Sequence, residues 1–186
     1  MPKIIDNIEE KIYKSAFELF TDKGFEAVNM KLVARQSGIA VGTLYNYHKN
    51  KKELFLNVLK KSWEETLYKL NKILKNESEQ DKLKSLLETL YIHISERKGI
   101  AQELMKSNLL QKEGFEVLNR MRTEIIKKID EALKFHKKHD SNLSPETEKR
   151  LVNLIFIAMI DMRREFAGEK EKNIKFIMNM VDSILD

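Results

Sequence analysis

Residues that interrupt helices are scarce in this chain. Its 186 residues include only two prolines, Pro2 and Pro145, and six glycines. Apolar residues recur at three- and four-residue spacing almost throughout, which is the periodicity of one helix face, and no alternating strand pattern occurs. Because proline and glycine are the residues that end or weaken helices, the sequence predicts an all-α fold of long helices.

The periodicity divides the chain into about nine helices. The first begins near Ile8 and stops near Gly24, two short helices cover Met30–Ser37 and Val41–His48, and a long helix runs from Lys51 to Leu74. The five later helices are predicted near residues 83–98, 100–110, 115–135, 145–166 and 169–185.

Composition excludes several classes of protein. The chain has no cysteine, which excludes disulfides, cysteine-ligated zinc fingers and thiol catalysis. Its longest apolar run covers residues 154–160, whereas a membrane-spanning helix needs about 20 apolar residues. The N-terminal segment mixes acids with apolar residues and lacks the layout of a signal peptide. We therefore expect a soluble, cytoplasmic protein with no membrane partner.

Positive charge is concentrated in one segment. Between Ala27 and Lys52 there is no Asp or Glu, and the cations are Lys31, Arg35, Lys49, Lys51 and Lys52. Their number equals the net charge of +5 of the whole chain. A positive segment on an otherwise neutral protein indicates a polyanionic partner, although a solvated lysine face would have the same composition.

The same segment has the pattern of a helix-turn-helix. Gly38 separates its two short helices, and the second offers Val41 and Leu44 to pack against Val33 and Ala34 of the first. In this motif the second helix enters the DNA major groove while the first lies across the backbone. The outward residues of the second helix would therefore meet bases or phosphates.

Those outward residues have side chains suited to DNA. Asn46 can pair with an adenine edge, and the methyl group of Thr43 can touch a thymine methyl group. Tyr45 and Tyr47 each combine a flat ring with a hydroxyl group that can reach a phosphate. The phosphates would also be bound, where the chain leaves the groove, by Lys49, Lys51 and Lys52.

Residues 8–56 resemble the N-terminal DNA-binding domain of TetR-family transcriptional regulators. The motifs that carry the resemblance are, in order, "AFELF…KGF", "VARQSGI", "GTLYNY" and "KNKKEL". The resemblance implies a three-helix helix-turn-helix domain at residues 1–52. It also implies that the long helix joins this domain to a helical effector-binding and dimerisation domain at residues 53–186.

The resemblance implies roles for further residues. Asn29 or Lys31 would touch phosphate at the start of the second helix, and Lys51 would bind the DNA backbone, aided by the dipole of the long helix. Three positions depart from the family pattern, which usually has a serine, an acidic residue and a phenylalanine where this chain has Ala40, Leu32 and His48.

The last two predicted helices carry more apolar surface than their own domain can cover. Residues 154–160 are all apolar, so this helix should be buried on more than one face. A second copy of the same helix pair would cover the excess in a four-helix bundle. The predicted dimer interface comprises Ile157, Ile160, Ile177, Val181 and Ile184.

The resemblance also implies a small-molecule effector for the C-terminal region. Methionine and aromatic side chains suit irregular apolar ligands, although a methionine at helical spacing is usually ordinary core. The candidate ligand-binding residues are Trp63, Tyr91, Met105, Phe115, Met121 and Met159. No catalytic set is found, so we expect no enzyme activity, no metal site and no cofactor.

The combined interpretation is a homodimeric, ligand-responsive repressor that binds a palindromic operator in double-stranded DNA and is released by a small, largely apolar effector. One alternative is an architectural or nonspecific DNA-binding dimer without an effector, which would show no preference among duplexes at matched salt. The other is a helical enzyme or small-molecule carrier that does not use the motif, which would ignore DNA even at low salt.

Overall fold

The structure is all-α. The computed structural model describes residues 7–97, 111–136 and 143–185, except for the side chains of residues 111–114. Within these ranges there are eight helices and no strand, which confirms the predicted fold class. The helix predicted at residues 100–110 lies outside the described residues.

The helices follow the chain in simple order. Numbered α1 to α8, they are Ile8–Ala27, Met30–Ser37, Val41–Tyr47, Lys51–Asn76, Lys82–Glu96, Gln111–His136, Pro145–Glu165 and Lys170–Leu185. Gly24, the predicted end of α1, has non-helical angles of φ 76° and ψ 170°, so α1 kinks there before its last turn. At the start of α7, the Ser144 hydroxyl accepts a hydrogen bond from the Thr147 amide, and Pro145 follows as the first helical residue.

The described residues form two compact units. The first comprises residues 7–63, 97 and 111–117, and the second comprises residues 64–96, 118–136 and 143–185. The domain boundary predicted between residues 52 and 53 therefore falls inside the first unit. The physical reason is that the start of α4 supplies part of the first unit's core.

Aromatic packing joins α4 to α1 in the first unit. The Phe55 ring meets the rings of Phe20 and Phe25 edge-on, with centroid separations of 5.0 Å and 5.1 Å. At the other end of α1, the Lys61 ammonium lies 2.6 Å from a carboxylate oxygen of Glu10, and this hydrogen bond lowers the pKa of the Glu10 carboxyl group. These contacts at both ends make residues 51–63 of α4 an integral part of the first unit.

The second unit is built around α5, α7 and α8, which pack against one another. Asn173, buried in the first turn of α8, donates hydrogen bonds to the Tyr91 hydroxyl oxygen at 2.9 Å and the Phe166 carbonyl at 3.0 Å. This side chain therefore holds the end of α7 and the start of α8 against α5. Among the described residues, no helix combines the length and apolar character needed to cross a membrane.

Candidate nucleic-acid interface

The turn between α2 and α3 is closed by a glycine in the left-handed region. Gly38 has φ 69° and ψ 31°. Its amide donates to the Arg35 carbonyl at 3.2 Å, and the Ile39 amide donates to the Ala34 carbonyl at 3.0 Å. This is the hydrogen-bond pattern of a Schellman motif, in which a residue other than glycine would be strained. The glycine that the sequence places in the turn is thus required by the backbone.

Helix α3 buries one side and exposes the other. Leu44 is fully buried, and α3 packs against α2 through this side. Asn46 is exposed, Thr43 is half-buried, and Tyr45 and Tyr47 are 49% and 39% exposed. Exposed aromatic side chains that lie together on one surface can mark a binding site, whereas single ones are normal. The four residues predicted to face the groove are therefore available to a duplex.

The caps of the two short helices differ. At the start of α2 the Asn29 carboxamide oxygen accepts a hydrogen bond from the Leu32 amide at 2.9 Å. Any phosphate contact by Asn29 would thus be made by its amide nitrogen. At the start of α3, Ala40 provides no side-chain cap, as its departure from the family pattern predicts. An uncapped first turn leaves α3 dependent on its packing against α2.

Lys51 has an internal role that the sequence did not reveal. Its ammonium group donates to the Phe25 carbonyl at 2.8 Å and the Glu26 carbonyl at 3.4 Å, and it lies 4.1 Å from the centre of the Phe25 ring. The lysine predicted to bind phosphate therefore also ties the start of α4 to the end of α1. Lys31, Arg35 and Lys49 are exposed, so their cationic groups are better placed to meet phosphates.

The connection from α3 to α4 is fixed by a capping arrangement. The Asn50 side chain accepts a hydrogen bond from the Glu53 amide at 2.9 Å, and the Glu53 carboxylate accepts one from the Lys49 amide at 3.0 Å. These two residues were not predicted from the sequence. Their signal was an asparagine followed three residues later by a glutamate at a helix start, which is typical of a capping box.

His48 occupies the end of the recognition helix. The Asn57 amide nitrogen lies 3.3 Å from Nδ1 of the half-buried imidazole. Burial lowers the pKa of His48 below its ordinary value of 6.5, and the nearby carboxylates of Glu53 and Glu9 oppose this shift. The imidazole is therefore biased towards its neutral form, in which Nδ1 accepts from Asn57.

The candidate ligand-binding residues are divided between the two units. Trp63 and Phe115 belong to the first, and Phe115 is 63% exposed. Tyr91, Met121 and Met159 are buried in the second. Tyr91 uses its hydroxyl group in the contact with Asn173 described above, which is a structural role. Met105 lies outside the described residues, and the ligand site stays a prediction.

A groove in the second unit involves none of these candidates. It lies between α6 and the start of α7 and has a volume of about 370 Å³. Its apolar floor carries a rim of charged groups, among them Lys134, which pairs with Asp130 at 2.7 Å. The lining residues are Ile126, Lys127, Asp130, Lys134, Pro145, Glu148, Lys149 and Val152.

The predicted dimer interface is only partly exposed. Ile157 is 55% exposed, and Ile160 and Ile184 are also exposed. Ile177 and Val181 are fully buried among the helices of their own chain, so these two offer no surface to a partner. The exposed apolar residues of α7 and α8 include two that the prediction omitted, Leu154 and Phe176. We call the set Leu154, Ile157, Ile160, Phe176 and Ile184 the α7–α8 apolar face.

The chain is all-α, and its exposed helix α3 follows a glycine turn and lies beside exposed cations. These features define the class of helix-turn-helix DNA-binding proteins. Residues 12–58 match the family described as "Bacterial regulatory proteins, tetR family". These residues therefore have the sequence of a TetR-family DNA-binding domain.

Individual relatives agree with this assignment. The chain is 32% identical over 85 residues to YfiR of Bacillus subtilis, an uncharacterized HTH-type transcriptional regulator; the match covers 46% of this chain and 42% of YfiR. The chain spans less than half the length of the curated relatives it matches. These relatives are described as transcriptional regulators, in agreement with the expectation that the chain is not an enzyme.

Solved structures share the whole fold. A TetR transcription regulator from Haloarcula marismortui superposes with a TM-score of 0.78 at 14% identity, covering 97% of this chain and 99% of that one. The transcriptional regulator FadR from Bacillus subtilis, in complex with stearoyl-CoA, gives a TM-score of 0.69 at 15% identity, covering 96% and 98%. At these identities the likeness establishes the fold alone.

Proposed function

We propose that the chain is a homodimeric, ligand-responsive transcriptional repressor of the TetR type that binds a palindromic operator. The observation that carries the proposal is the outward side of α3, where Tyr45, Asn46 and Tyr47 are exposed while Leu44 is buried. The core of the first unit does not use these side chains. Base-edge recognition in the major groove would use them.

Exposed cations support the phosphate part of the proposal. Lys31 and Arg35 lie on α2 and Lys49 follows α3, and all three are exposed. Phosphate contacts position a protein on the duplex, and base contacts supply the sequence preference. A twofold dimer would place its two α3 helices in successive major grooves, with centres roughly 34 Å apart.

Release by an effector is the second part of the proposal. Helix α4 belongs to both units, so a ligand held in the second unit could change the spacing of the two recognition helices through it. The ligand must bind the DNA-incompetent state more tightly, with a coupling free energy of about 1–3 kcal/mol. We propose a small, largely apolar effector and a cytoplasmic location.

The test begins with selection of bound duplexes from random DNA. We expect one palindromic sequence to be enriched and its affinity to fall steeply with salt, since phosphate contacts release counterions. Tyr47→Ala should weaken binding to the selected duplex about tenfold or more while changing binding to random duplex little. Enrichment of no sequence would leave the architectural alternative, and no binding even at low salt would leave the enzyme or carrier alternative.

Effector binding is tested separately on the selected duplex. Because FadR from Bacillus subtilis was solved with stearoyl-CoA, a long-chain acyl-CoA, in which only the acyl chain is apolar, is tested first, followed by a set of small apolar compounds. Release of the duplex at concentrations that also raise the unfolding temperature would support the proposal. A compound that stabilises the protein but leaves DNA affinity unchanged binds without regulating.

A further inference from the structure

The centre of the outward face of α3 carries a glycine. Gly42 is exposed and stands two residues before the buried Leu44. Two residues correspond to about 200° around a helix, so Gly42 lies nearly opposite Leu44. Asn46, two residues after Leu44, lies on the same outward side one turn later. The most outward position in the first turn of α3 thus has no side chain. Around the helix, this position lies between the exposed Tyr45 and the half-buried Thr43.

The fold itself gives no reason for this glycine. A Cβ atom added at Gly42 would meet no atom of the described chain within 4 Å, apart from its two chain neighbours and the nearby backbone of its own helix. Gly42 is not among the positive-φ glycines of the described residues, which are Gly24, Gly38 and Gly168. Neither close internal packing nor a left-handed backbone therefore requires it. Glycine in a helix also costs stability relative to alanine, because more backbone freedom is lost on folding.

We infer that Gly42 is the point at which the recognition helix approaches the base-pair edges most closely, and that its missing side chain sets the docking depth of α3. In a helix-turn-helix, the N-terminal residues of the recognition helix contact the base edges. Gly42 is the second residue of α3. Because Gly42 has no side chain, the helix can approach the bases until the side chain of Asn46, which is shorter than that of a tyrosine, reaches a base. This inference rests on the proposed DNA binding.

One substitution, Gly42→Ala, should change the stability of the protein and its affinity for DNA in opposite directions. Gly42→Ala adds a methyl group into open space and improves helix propensity, so the protein should become more stable. We expect the midpoint of thermal unfolding to rise by about 1–3 °C. In the complex the same methyl group would hold α3 away from the bases, so affinity for the selected duplex should fall about tenfold. A residue that mattered only for folding would not show this combination.

The experiment measures unfolding temperature and DNA affinity on the full chain. The probes are the palindromic duplex selected by the unmodified protein and a random duplex of equal length at the same salt. Gly42→Leu should weaken binding to the selected duplex further than Gly42→Ala, while both should change binding to the random duplex at most about twofold, since phosphate contacts dominate there. Asn71→Ala, at an exposed helical position of the second unit, is the matched control that improves helix propensity alone.

Each outcome decides between specific possibilities. Higher stability with weaker, size-dependent binding to the selected duplex supports the inference. Gly42→Ala that binds this duplex as tightly as the unmodified protein overturns it and leaves the proposed function intact. A fall in stability also overturns it, because the fold would then need the glycine. If the unmodified protein selects no duplex at all, the proposed function fails and the inference fails with it.

Discussion

At the scale of single residues, the charge of a lysine does not reveal which partner it serves. Lys51 and Lys49 stand two positions apart in one basic segment, and both were predicted to bind phosphate. Lys51 turns out to donate to the last carbonyls of α1 and to lie against the Phe25 ring. Lysine near a helix C-terminus also interacts favourably with the helix dipole. The ammonium group of Lys51 therefore contributes to folding whether or not it touches DNA.

Lys51→Met should separate these two roles. It keeps the apolar stem and removes the ammonium group, so the free energy of unfolding should fall by about 1–2 kcal/mol. If the ammonium group is fully used inside the protein, the salt dependence of operator binding should keep its slope. Lys49→Met should instead keep the stability and lower that slope by about one unit. Urea unfolding and anisotropy titrations at several salt concentrations give both quantities. If Lys51→Met leaves stability unchanged and lowers the salt slope of operator binding, Lys51 binds phosphate and does not stabilise the fold.

His48 should make stability depend on pH. Its pKa is lowered in the folded protein, so between the folded pKa and 6.5 the unfolded chain binds more protons than the folded one. Stability should therefore fall as the pH drops through 6.5 and should stop falling below the folded pKa. His48→Phe, the residue usual in the family, and His48→Gln should both remove this component. Urea midpoints from pH 8 to 5 test it, and curves for the three proteins that run parallel would contradict it.

At the scale of elements, the helices could be predicted because their signals are local. Helical periodicity, Ser144–Pro145 at the start of α7 and the glycine turn at Gly38 each depend on a few adjacent residues. The outward face of α3 followed from Leu44 by the same reasoning. The packing of the start of α4 into the first unit could not be predicted locally, because it depends on contacts of Phe55 with Phe20 and Phe25, which are distant in sequence. The burial of Ile177 and Val181 on α8 also depends on contacts with helices distant in sequence, so it was not predicted.

The junction of α7 and α8 depends on one buried side chain, and this was not predicted either. Asn173→Ala should remove the hydrogen bonds to the Phe166 carbonyl, which keeps the Glu169 amide as a donor, and to the hydroxyl group of the buried Tyr91, which loses this partner. We expect a loss of about 2–3 kcal/mol in the free energy of unfolding. Asn179→Ala, at an exposed position of the same helix, should change it by less than about 0.5 kcal/mol. Equal losses in urea unfolding would contradict the role of Asn173.

Tyr91 tests whether this junction is structural or ligand-binding. Tyr91→Phe removes only the hydroxyl group, so its effect should couple strongly to that of Asn173→Ala in a double-mutant cycle. The coupling energy should be about 0.5–1.5 kcal/mol. Release of the selected duplex by an active effector should then be unchanged in Tyr91→Phe. If Tyr91→Phe has normal stability but no longer responds to the effector, the Tyr91 hydroxyl group belongs to the ligand site.

At the scale of the whole molecule, the exposed apolar side chains of α7 and α8 favour the proposed homodimer. The α7–α8 apolar face contains five large side chains that the chain leaves exposed, and Ile157 and Phe176 are 55% and 57% exposed. Charged pairs follow the apolar part of α7, where Arg164 contacts Asp161 at 2.7 Å. An apolar centre with a polar rim is the usual anatomy of a protein–protein interface. A twofold partner would bring the same face against itself, which favours a homodimer.

Ile157→Arg should convert this dimer into a monomer without unfolding it. The side chain is exposed in the single chain, and arginine is a good helix former, so helical content should persist. Placed at a self-complementary interface, however, two arginines would be brought together without partners. Sedimentation equilibrium should show a dimer for the unmodified protein and a monomer for the variant. Affinity for a two-half-site operator should fall about a hundredfold or more, since the second half-site would no longer bind as part of one molecule. The control variant Lys175→Ala, at an exposed position on α8 outside the α7–α8 apolar face, should remain a dimer. If the Ile157→Arg variant is a dimer with normal operator affinity, the interface lies elsewhere.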